Sequence, residues 1–434
     1  MKPDTQPFYN STIPSDWTTP EFGEVFTFLK SYSFSREQLS DEKTTDEVQN
    51  IHYGDIHATF EDEILDFEVE KRIPFVKDGL ISTDKLSDEE FPFLKDGDLI
   101  IADASEDTIG VAECVELKNV NGRKIVSGLH TFAARDKKGK TVPGYRTYLL
   151  RHPQVIRELR RIATGFSVFG ISKTNLTKVR LPLPPHNEQE AFAELLNLMD
   201  TAINKNNQLI AKKELQKNGL MQKLLSGDVR LRGFKGEWSK IKLKAIAKIY
   251  DGTHMTPDYV EKGVPFYSVE QVTSNDFNKT KFISEQIFEK ECERVMLEKG
   301  DILMTRIGDI GTPKYIDWNV RASFYVSLAL IKITDKQTEG HFLNHFIKSS
   351  YFQKELHQRT IHVAFPKKIN LGEIGECFVL LPPIEVQKEI AKVLQSADTE
   401  IQILRDKTIK LKNKKRGLIQ QLLSGKKRLP TKSK

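Results

Sequence analysis

Two stretches of the chain carry apolar residues at steps of three and four, the spacing that gathers side chains on one face of an α-helix. The first stretch contains Phe192, Leu195, Leu196, Met199, Ile203, Ile210 and Leu220. The second contains Ile390, Val393, Leu394, Ala397, Ile401, Leu404, Leu411 and Leu418. Each stretch follows a Leu-Pro-Pro sequence, and a proline at the first helical position loses no hydrogen bond. The pattern predicts two long amphipathic helices, one from Pro185 to Ser226 and one that starts at Pro383.

The two predicted helices are copies of one unit. LPPHNEQEAFAELLNLMDTAI, from Leu183, aligns without a gap with LPPIEVQKEIAKVLQSADTEI, from Leu381, at an offset of 198 residues. The alignment continues into GLMQKLLSG and GLIQQLLSG, which end at Gly227 and Gly425. A constant offset over this length indicates a duplicated unit.

A helix from Pro185 to Ser226 would be about 60 Å long, too long to bury its apolar face inside one compact domain. We therefore expect the two copies to pack against each other as an antiparallel coiled coil. The packing residues would be Leu196, Met199, Ile203, Ile210, Leu220, Leu394, Ala397, Ile401, Leu404, Leu411 and Leu418. The alternative is that each helix packs on its own globular neighbour.

Polar residues and glycines interrupt the apolar faces. Thr408 and Lys415 fall at seam positions, where they weaken a strict coiled coil but help to fix its register. Gly219 and Gly417 lie inside the helical pattern, where each costs about 1 kcal/mol relative to alanine. We expect a kink or a close helix approach at these glycines.

The segments ahead of the helices predict an α+β fold, because short β-rich runs alternate with turns and short helices. LKDGDLIIA, from Leu94, is similar to LEKGDILMT, from Leu297. The offset between similar positions drifts here, from 221 at Trp17 and Trp238 to 203 at Gly97 and Gly300. The predicted division is two globular domains, 1–183 and 232–381, with helical segments 184–231 and 382–434. Helices of constant length would carry two variable domains with related but different ligands.

The ends of the helices carry the most specific motif. Gly219 to Gly227 precede Val229-Arg230-Leu231, and Gly417 to Gly425 precede Lys427-Arg428-Leu429. A variable α/β domain and a proline-led helix that ends in this motif, both present twice, resemble the specificity subunit of type I restriction–modification enzymes over nearly the whole chain. NIHYGDIH at 50–57 and DGTHMTPDYVEKGVPFYSVEQV at 251–272 are similar to segments of the target recognition domains in that family.

The resemblance implies two similar α/β target recognition domains joined by two long helices that pack as an antiparallel coiled-coil spacer with pseudo-twofold symmetry. Each domain would read one half of a bipartite sequence in double-stranded DNA, and the helices would set the spacing. Methyltransferase subunits, expected as two copies, would dock on the chain, bind S-adenosylmethionine and methylate adenine, and would recruit ATP-driven restriction subunits. No cofactor is expected in this chain, since S-adenosylmethionine, ATP and Mg²⁺ would lie on partner subunits. The alternative is a non-catalytic adaptor whose duplicated domains bind proteins.

Composition narrows the class of protein further. The 434 residues suit two to four domains, and no run approaches the ~18 apolar residues that span a bilayer. The N-terminus has no apolar segment typical of a secretory signal. Cys114, Cys292 and Cys377 are far apart, which argues for a reducing cytoplasm and against structural zinc. The net charge is +6, and no acidic residue follows Asp406, so the basic C-terminal tail is either a solvated surface or a contact with a polyanion.

Catalytic motifs are absent from the sequence. It contains no phosphate-binding loop, no dinucleotide-binding glycine motif, no Asp/Asn-Pro-Pro-Tyr methyltransferase motif and no His/Cys cluster. Asp103 and Glu116-Leu117-Lys118 have the order of a metal-dependent nuclease site, but exposed strand and loop charges explain them more simply. The sequence therefore predicts a subunit that is not an enzyme, with a nuclease as a further alternative.

Readers of base sequence present Arg, Lys, His and small polar side chains on loops. In the first domain the candidates are Ser33, Ser35, Arg36, His52, Tyr53, Arg135, Ser172 and Lys173. In the second domain they are Thr253, His254, Tyr267, Arg306, Arg321, Lys367 and Lys368. Arg306 is the strongest single candidate, because it ends the predicted strand DILMT and opens a loop. An ordinary exposed polar residue is the simpler explanation for each position.

Overall fold

A computed structural model describes residues 4–60, 62–81, 93–107, 110–231, 233–234 and 236–430. Lys432 and Lys434 of the predicted basic tail lie outside the described residues. The chain divides into two compact units: unit 1 is Met1–Lys205 with Thr408–Lys434, and unit 2 is Asn206–Lys407. The predicted helices are confirmed, but each contributes one half to each unit. None of the helices in the described ranges is long and apolar enough to cross a membrane.

Unit 1 contains the globular domain that precedes the first long helix. Its strands are β1 (Thr5–Phe8), β2 (Ser11–Pro14), β3 (Phe26–Leu29), β4 (Leu39–Ser40), β5 (Val48–Ile51), β6 (Ile64–Asp66), β7 (Phe75–Val76), β8 (Leu99–Ala102), β9 (Ala104–Ser105), β10 (Cys114–Lys118), β11 (Lys124–Ser127), β12 (Thr131–Asp136) and β13 (Phe169–Gly170). Its short helices are α1 (Phe22–Val25), α2 (Tyr53–Ala58), α3 (Arg146–Leu150), α4 (Pro153–Ile162) and α5 (Lys173–Thr177). The main sheets have the orders β3-β12-β8-β10-β6 and β11-β5-β7-β4, and β1-β2 and β13-β9 form two-stranded pairs.

The first long helix, α6 (His186–Ser226), leads into unit 2. The strands of unit 2 are β14 (Ser239–Lys242), β15 (Ala247–Asp251), β16 (Tyr259–Val260), β17 (Val264–Tyr267), β18 (Lys281–Ile283), β19 (Ile302–Ile307), β20 (Asp309–Tyr315), β21 (Ser323–Phe324), β22 (Leu328–Ile333) and β23 (Phe378–Leu381). The helices are α7 (Val269–Ser274), α8 (Glu285–Cys292), α9 (Gly340–Ile347), α10 (Ser350–Arg359), α11 (Leu371–Glu376) and α12 (Ile384–Leu423), the second long helix. The sheets have the orders β14-β23, β15-β22-β19-β20 and β16-β18-β17-β21.

Strands β8 and β19 occupy equivalent places in the two units. Each is an interior strand, between β12 and β10 or between β22 and β20. In β8, Leu99 and Ile101 pack in the core that includes the long helices, while Ile100 faces a second core. In β19, Ile302 and Met304 face the helix-containing core and Leu303 faces the other. Because both faces of these strands are covered, DLIIA and DILMT are apolar without alternation.

A repeated glutamine fastens the start of each long helix to its unit. Gln189 accepts a hydrogen bond from the Val142 N–H (3.0 Å) and donates to the Pro184 carbonyl (2.9 Å). At the equivalent position Gln387 accepts from the Glu339 N–H (2.8 Å) and donates to the Pro382 carbonyl (2.7 Å). The helices begin at His186 and Ile384, one residue after the second proline of each Leu-Pro-Pro sequence.

The long helices bury residues against the globular domains as well as against each other. Equivalent pairs are buried in both copies: Leu196 and Leu394, Ile203 and Ile401, Leu224 and Leu422, and Leu225 and Leu423. Of the other predicted packing residues, Met199 is buried, while Ile210, Ala397, Leu404, Leu411 and Leu418 are partly exposed. Leu220 is exposed instead, at 37%, and its neighbour Met221 is buried. The two helices therefore pack against each other, as expected, and they also pack on the globular domains, because the helix ends join the domain cores.

Within each unit the two helix halves run antiparallel, and one ion pair occurs twice. In unit 1 the Lys415 ammonium lies 2.7 Å from Asp200 and 2.9 Å from Glu63. In unit 2 the equivalent residues Lys217 and Asp398 form the same pair. Asn206, also in unit 2, donates to the carbonyl of its own repeat equivalent, Leu404, at 2.8 Å. Lys415 thus joins the two helices through an ion pair with Asp200, and its expected role in fixing the register stays a prediction.

The glycines of the repeated helix ending have two different environments. Gly219 and Gly417 are exposed within uninterrupted helix, and a Cβ atom there would have no neighbour within 4 Å. The predicted close helix approach is therefore wrong, and a kink at these positions stays a prediction. Gly227 and Gly425 follow the helix ends with φ of +81° and +68°, a left-handed conformation that favours glycine at a helix terminus.

Gly219 and Gly227 lie in one nine-residue motif, but their environments predict that replacing them with alanine has opposite effects on stability. Gly219→Ala should raise the free energy of unfolding by about 0.5–1 kcal/mol, because alanine restricts the unfolded chain and meets no obstacle in the helix. Gly227→Ala should lower it by about 1 kcal/mol, because a Cβ atom strains the left-handed backbone. Urea denaturation of the two full-length variants beside the wild type measures both changes. Changes of the same sign would contradict this assignment.

Candidate nucleic-acid interface

In unit 1 the loops at the end of strand β8 gather a polar and aromatic cluster. The Tyr53 ring contacts the rings of His52, His57 and His130, with centroids 4.6, 6.0 and 5.4 Å away. His130 Nδ1 lies 3.3 Å from a carboxylate oxygen of Asp103, the residue that follows β8. The predicted residues His52 and Tyr53 therefore belong to one surface, which the sequence alone did not connect to His130.

The titratable groups of this cluster have shifted pKa values with different causes. A hydrogen bond to Glu113, 2.9 Å from Nδ1, raises the pKa of His57. Burial lowers the pKa of His52, whose Nδ1 accepts the Gly54 N–H and caps helix α2. Burial raises the pKa of Asp103 against the opposing effect of His130. His57 therefore adds positive charge to the cluster more readily than His52 does.

The two arginines predicted in unit 1 both hold buried carboxylates. Arg36 is exposed, and its Nη1 lies 2.8 Å from Asp55 in helix α2. Arg135 is half-buried and donates two hydrogen bonds to the Asp98 carboxylate, one from Nε at 2.8 Å and one from Nη2 at 2.6 Å. The bond to Asp98 raises the pKa of Arg135. Arg135 therefore holds the start of strand β8 in place, whereas much of the Arg36 side chain remains exposed to solvent.

Ser172 and Lys173 form the start of helix α5. The Ser172 hydroxyl accepts the Asn175 N–H at 3.1 Å and caps the helix. Lys173 is exposed, and its ammonium lies 5.4 Å from the rings of both Phe28 and Phe132. The positive charge of Lys173 also opposes the rise in the pKa of Asp103, so this lysine lies near the polar cluster.

In unit 2 the loop after strand β15 carries the equivalent polar surface. His254 is exposed and lies 2.8 Å from Asp251, and the Arg294 guanidinium donates to Asp251 (2.7 Å) and to the Gly252 carbonyl (3.0 Å). Burial opposes ionisation of Asp251, but His254 and Arg294 outweigh it and keep the pKa of this carboxyl below its usual value. Thr253 is buried, and its N–H donates to the Phe324 carbonyl. Sequence reasoning missed Arg294, because nothing local connects it to this loop.

Arg306, the strongest candidate from sequence, is only 8% exposed. Its guanidinium donates to the carbonyls of Val326 (2.7 Å) and Ile369 (3.1 Å). Val326 in turn donates its N–H to the Thr253 carbonyl at 2.9 Å. Arg306 therefore supports the loop of His254 and the segment around Ile369, and only a small part of its side chain is exposed to solvent.

The remaining candidates of unit 2 differ in exposure. Tyr267 is 5% exposed and packs edge-on against Phe277 in a core. Arg321 is exposed, pairs with Glu285 at 3.0 Å from Nη1 and lies over the Phe288 ring. Lys367 and Lys368 are exposed on the segment that leads to Ile369. Among the candidates of unit 2, Lys367, Lys368, His254 and Arg321 are therefore accessible to solvent.

The nuclease alternative receives no support from the geometry. Glu116 is buried in strand β10, where its carboxylate accepts the N–H groups of Gly144 (2.5 Å) and Thr147 (3.2 Å). Burial raises the pKa of Glu116 to about 7. Lys118 donates to Asn197 at 2.9 Å. Within the described ranges, no group of three or more His, Cys, Asp or Glu residues could hold a metal ion.

Each polar surface stands beside a hairpin that sequence reasoning did not identify. Hairpin 1 (residues 164–170) is joined to β8, since the Ile171 N–H donates to the Asp103 carbonyl at 2.9 Å. Hairpin 2 (residues 361–368) is joined to β19, since the Ile369 N–H donates to the Arg306 carbonyl at 3.0 Å. Ile171 and Ile369 are equivalent in the repeat, so the hairpins occupy the same place in both units. Each hairpin exposes a phenylalanine, for which the sequence offers no distinguishing pattern.

Comparison with known proteins agrees with this construction. The family described as type I restriction modification DNA specificity domain matches residues 235–413. A protein assigned as the MjaX type I restriction enzyme specificity subunit of Methanocaldococcus jannaschii is 25% identical over 96% of this chain and 95% of its own length. The MjaVIII specificity subunit of the same organism is 27% identical over 62% of this chain and 67% of its own length.

Two solved structures share the fold over almost the whole chain. The S subunit of a type I restriction–modification system from M. genitalium covers 97% of this chain and 99% of its own, with a TM-score of 0.52 and 17% identity. A chain from a study of complex assembly and conformational transition in a type I system covers 96% of this chain and 100% of its own, with a TM-score of 0.56 and 16% identity. The chain is thus similar in fold to these two structures. The chain is therefore similar to type I specificity subunits over nearly its whole length, and its residues 235–413 match the DNA specificity domain of that family.

Proposed function

We propose that each unit reads one half of a bipartite sequence in double-stranded DNA, and that the two long helices set the distance between the halves. The observation that carries this proposal is the repeated construction: each unit places exposed basic and polar loops at the end of β8 or β19. Lys173 in unit 1, and His254, Lys367 and Lys368 in unit 2, supply the groups that contact phosphates and base edges. Arg306 supports the loops of unit 2 from beneath, whereas Arg135 holds Asp98 at the start of β8.

The proposed complex contains methyltransferase subunits, two per chain, and restriction subunits recruited through them. Exposed apolar residues on the long helices support such docking, because Leu198, Leu215 and Ile403 are 66, 74 and 62% exposed. S-adenosylmethionine, ATP and Mg²⁺ belong to the partner subunits in this proposal. This chain contributes recognition without catalysis, and it acts in the cytoplasm. Similarity to type I specificity subunits favours this function over a protein-binding adaptor.

A selection on random DNA tests the proposal. The chain, purified with its methyltransferase subunits, is incubated with duplexes that carry two randomised segments separated by gaps of different length, and retained duplexes are sequenced. We expect two defined half-sites at one gap length. Exchange of residues 232–381 for the same segment of another family member should change one half-site and leave the other intact.

Two results would contradict the proposal. Retention without sequence preference would remove DNA reading altogether, and would favour the adaptor. A change in both half-sites after the exchange would show that the units do not read separate halves. The matched control exchanges 1–183 instead, which should change the opposite half-site.

A further inference from the structure

Both hairpins carry a fully exposed phenylalanine at the tip. Phe166 of hairpin 1 and Phe365 of hairpin 2 have relative exposures of 101% and 103%. A valine accompanies each, Val168 at 55% and Val363 at 96% exposure. Scattered apolar residues are normal on protein surfaces, but a large aromatic side chain held wholly in solvent at the same place in both units indicates a contact surface.

Hairpin 1 holds its phenylalanine on a constrained backbone. Thr164 and Gly170 exchange two backbone hydrogen bonds, of 2.9 and 3.0 Å, which close the hairpin. Phe169 and Gly170 then pair with Ser105 and Ala104 of strand β9. Gly165 has φ of +139°, and a Cβ atom there would lie 1.8 Å from the Val168 carbonyl oxygen. Only glycine permits this turn, so the hairpin presents Phe166 in a defined position.

Hairpin 2 is closed and anchored in a comparable way. The Ile361 N–H donates to the Lys368 carbonyl at 2.8 Å, and the Gly308 N–H donates to the Lys367 carbonyl at 2.8 Å. The Arg306 guanidinium adds its bond to the Ile369 carbonyl. Arg306 is therefore a positioning residue for Phe365.

The charged residues of the hairpin segments indicate which class of partner the hairpins contact. No acidic residue occurs at 163–174 or at 360–372, whereas these segments contain Lys173, Lys367 and Lys368. An exposed aromatic ring on a segment that contains lysine and no acidic residue matches a nucleic acid, in which stacked bases lie between rows of phosphates. Proteins that deform duplex DNA insert apolar side chains such as Phe between base pairs and hold the flanking phosphates with basic residues.

We propose that Phe166 and Phe365 are apolar wedges, each of which unstacks a base step in the half-site read by its own unit, while the neighbouring lysines hold the adjacent phosphates. This inference rests on the proposed DNA-reading function and adds to it a deformation of the duplex at two places. One wedge in each unit means one deformed step in each half of the target. Arg306 and Gly165 act indirectly, by fixing where the rings stand.

The test uses the full chain with its methyltransferase subunits and duplexes that carry 2-aminopurine at successive positions of the selected target. Wild-type complex should raise the 2-aminopurine fluorescence at one step in each half-site. Phe166→Ala should abolish the rise in one half-site and Phe365→Ala in the other, and each should weaken binding at least about tenfold. Phe166→Leu and Phe365→Leu should retain part of both signals.

Controls separate this inference from the proposed function. Val69→Ala and Met296→Ala remove exposed apolar side chains elsewhere in units 1 and 2, at 61 and 47% exposure, and should change neither signal. If both phenylalanine variants bind the target selectively and give the same 2-aminopurine fluorescence as the wild type, the wedge proposal is wrong, but the proposal of DNA reading stands. Loss of methyltransferase copurification, with DNA binding unaffected, would identify the hairpins as protein contacts and would also overturn the inference. Failure of the wild-type complex to select any sequence would instead overturn the proposed function.

Discussion

Lys415→Met should lower the free energy of unfolding of unit 1 by about 3 kcal/mol, because it leaves two carboxylates without their shared cation. The lysine side chain is 9% exposed, and Glu63 and Asp200 are each 24% exposed. Burial opposes ionisation of Glu63, but Lys415 and Arg151 hold its pKa below the usual value. At Asp200 burial outweighs Lys415, and the pKa of that carboxyl is raised. Urea denaturation, with hydrogen exchange to follow unit 1 separately, measures the loss.

The repeat supplies a matched control for this variant. Lys217→Met breaks the equivalent pair in unit 2, but Asp398 is 43% exposed and can be hydrated, so a loss of about 1 kcal/mol is expected. Combining Lys415→Met with Asp200→Asn and Glu63→Gln should recover most of the stability, since neither carboxylate is then left charged without its lysine. Equal losses for Lys415→Met and Lys217→Met, or no recovery in the combined variant, would contradict the explanation by burial.

Gln387→Leu should destabilise unit 2 by about 2–4 kcal/mol, because leucine fills the space but leaves buried backbone groups unsatisfied. Gln387 is fully buried and bonds to the Glu339 N–H and to the carbonyls of Gln337 and Pro382, at 2.7–2.8 Å. The bonds of Gln189 in unit 1 are longer, at 2.9–3.3 Å, so Gln189→Leu should cost less. Thermal or urea unfolding of the two variants measures these costs.

Gln216→Leu is the control for the glutamine variants, since Gln216 is exposed in the middle of helix α6. It should change the free energy of unfolding by no more than about 0.5 kcal/mol. If Gln387→Leu were no more harmful than Gln216→Leu, the buried glutamine would not be what fastens the helix to its unit. A loss confined to the hydrogen exchange of 384–394 would locate the effect at the helix start.

Much of the scaffold follows from the sequence, because local patterns encode it. The three- and four-residue spacing predicts helices α6 and α12, and the fixed offset identifies them as copies. Apolar runs likewise predict β8 and β19, whose side chains are buried on both faces. What the pattern could not supply is the sharing of each helix between two units, since that depends on contacts such as Arg428 with Asp16, 412 residues apart.

The candidate interface was less predictable, because residue type says little about exposure. Lys173, Lys367 and Lys368 were expected at the surface and lie there, whereas Arg306 combines a suitable side chain with a buried position. Arg294 was missed because its partner Asp251 lies 43 residues away. Phe166 and Phe365 look like core residues in the sequence, and only the closed hairpins show them in solvent.

The sequence by itself determined the duplication, the long helices, the central strands and the resemblance to type I specificity subunits, because each of these depends on residue spacing or motif identity. The tertiary structure alone decided which polar side chains reach solvent. It also decided that Arg306 is buried beneath a loop and that Phe166 and Phe365 are exposed. The physical reason is that burial and hydrogen bonding depend on segments distant in the chain. Local periodicity specifies the face of an element, but it does not specify what covers that face.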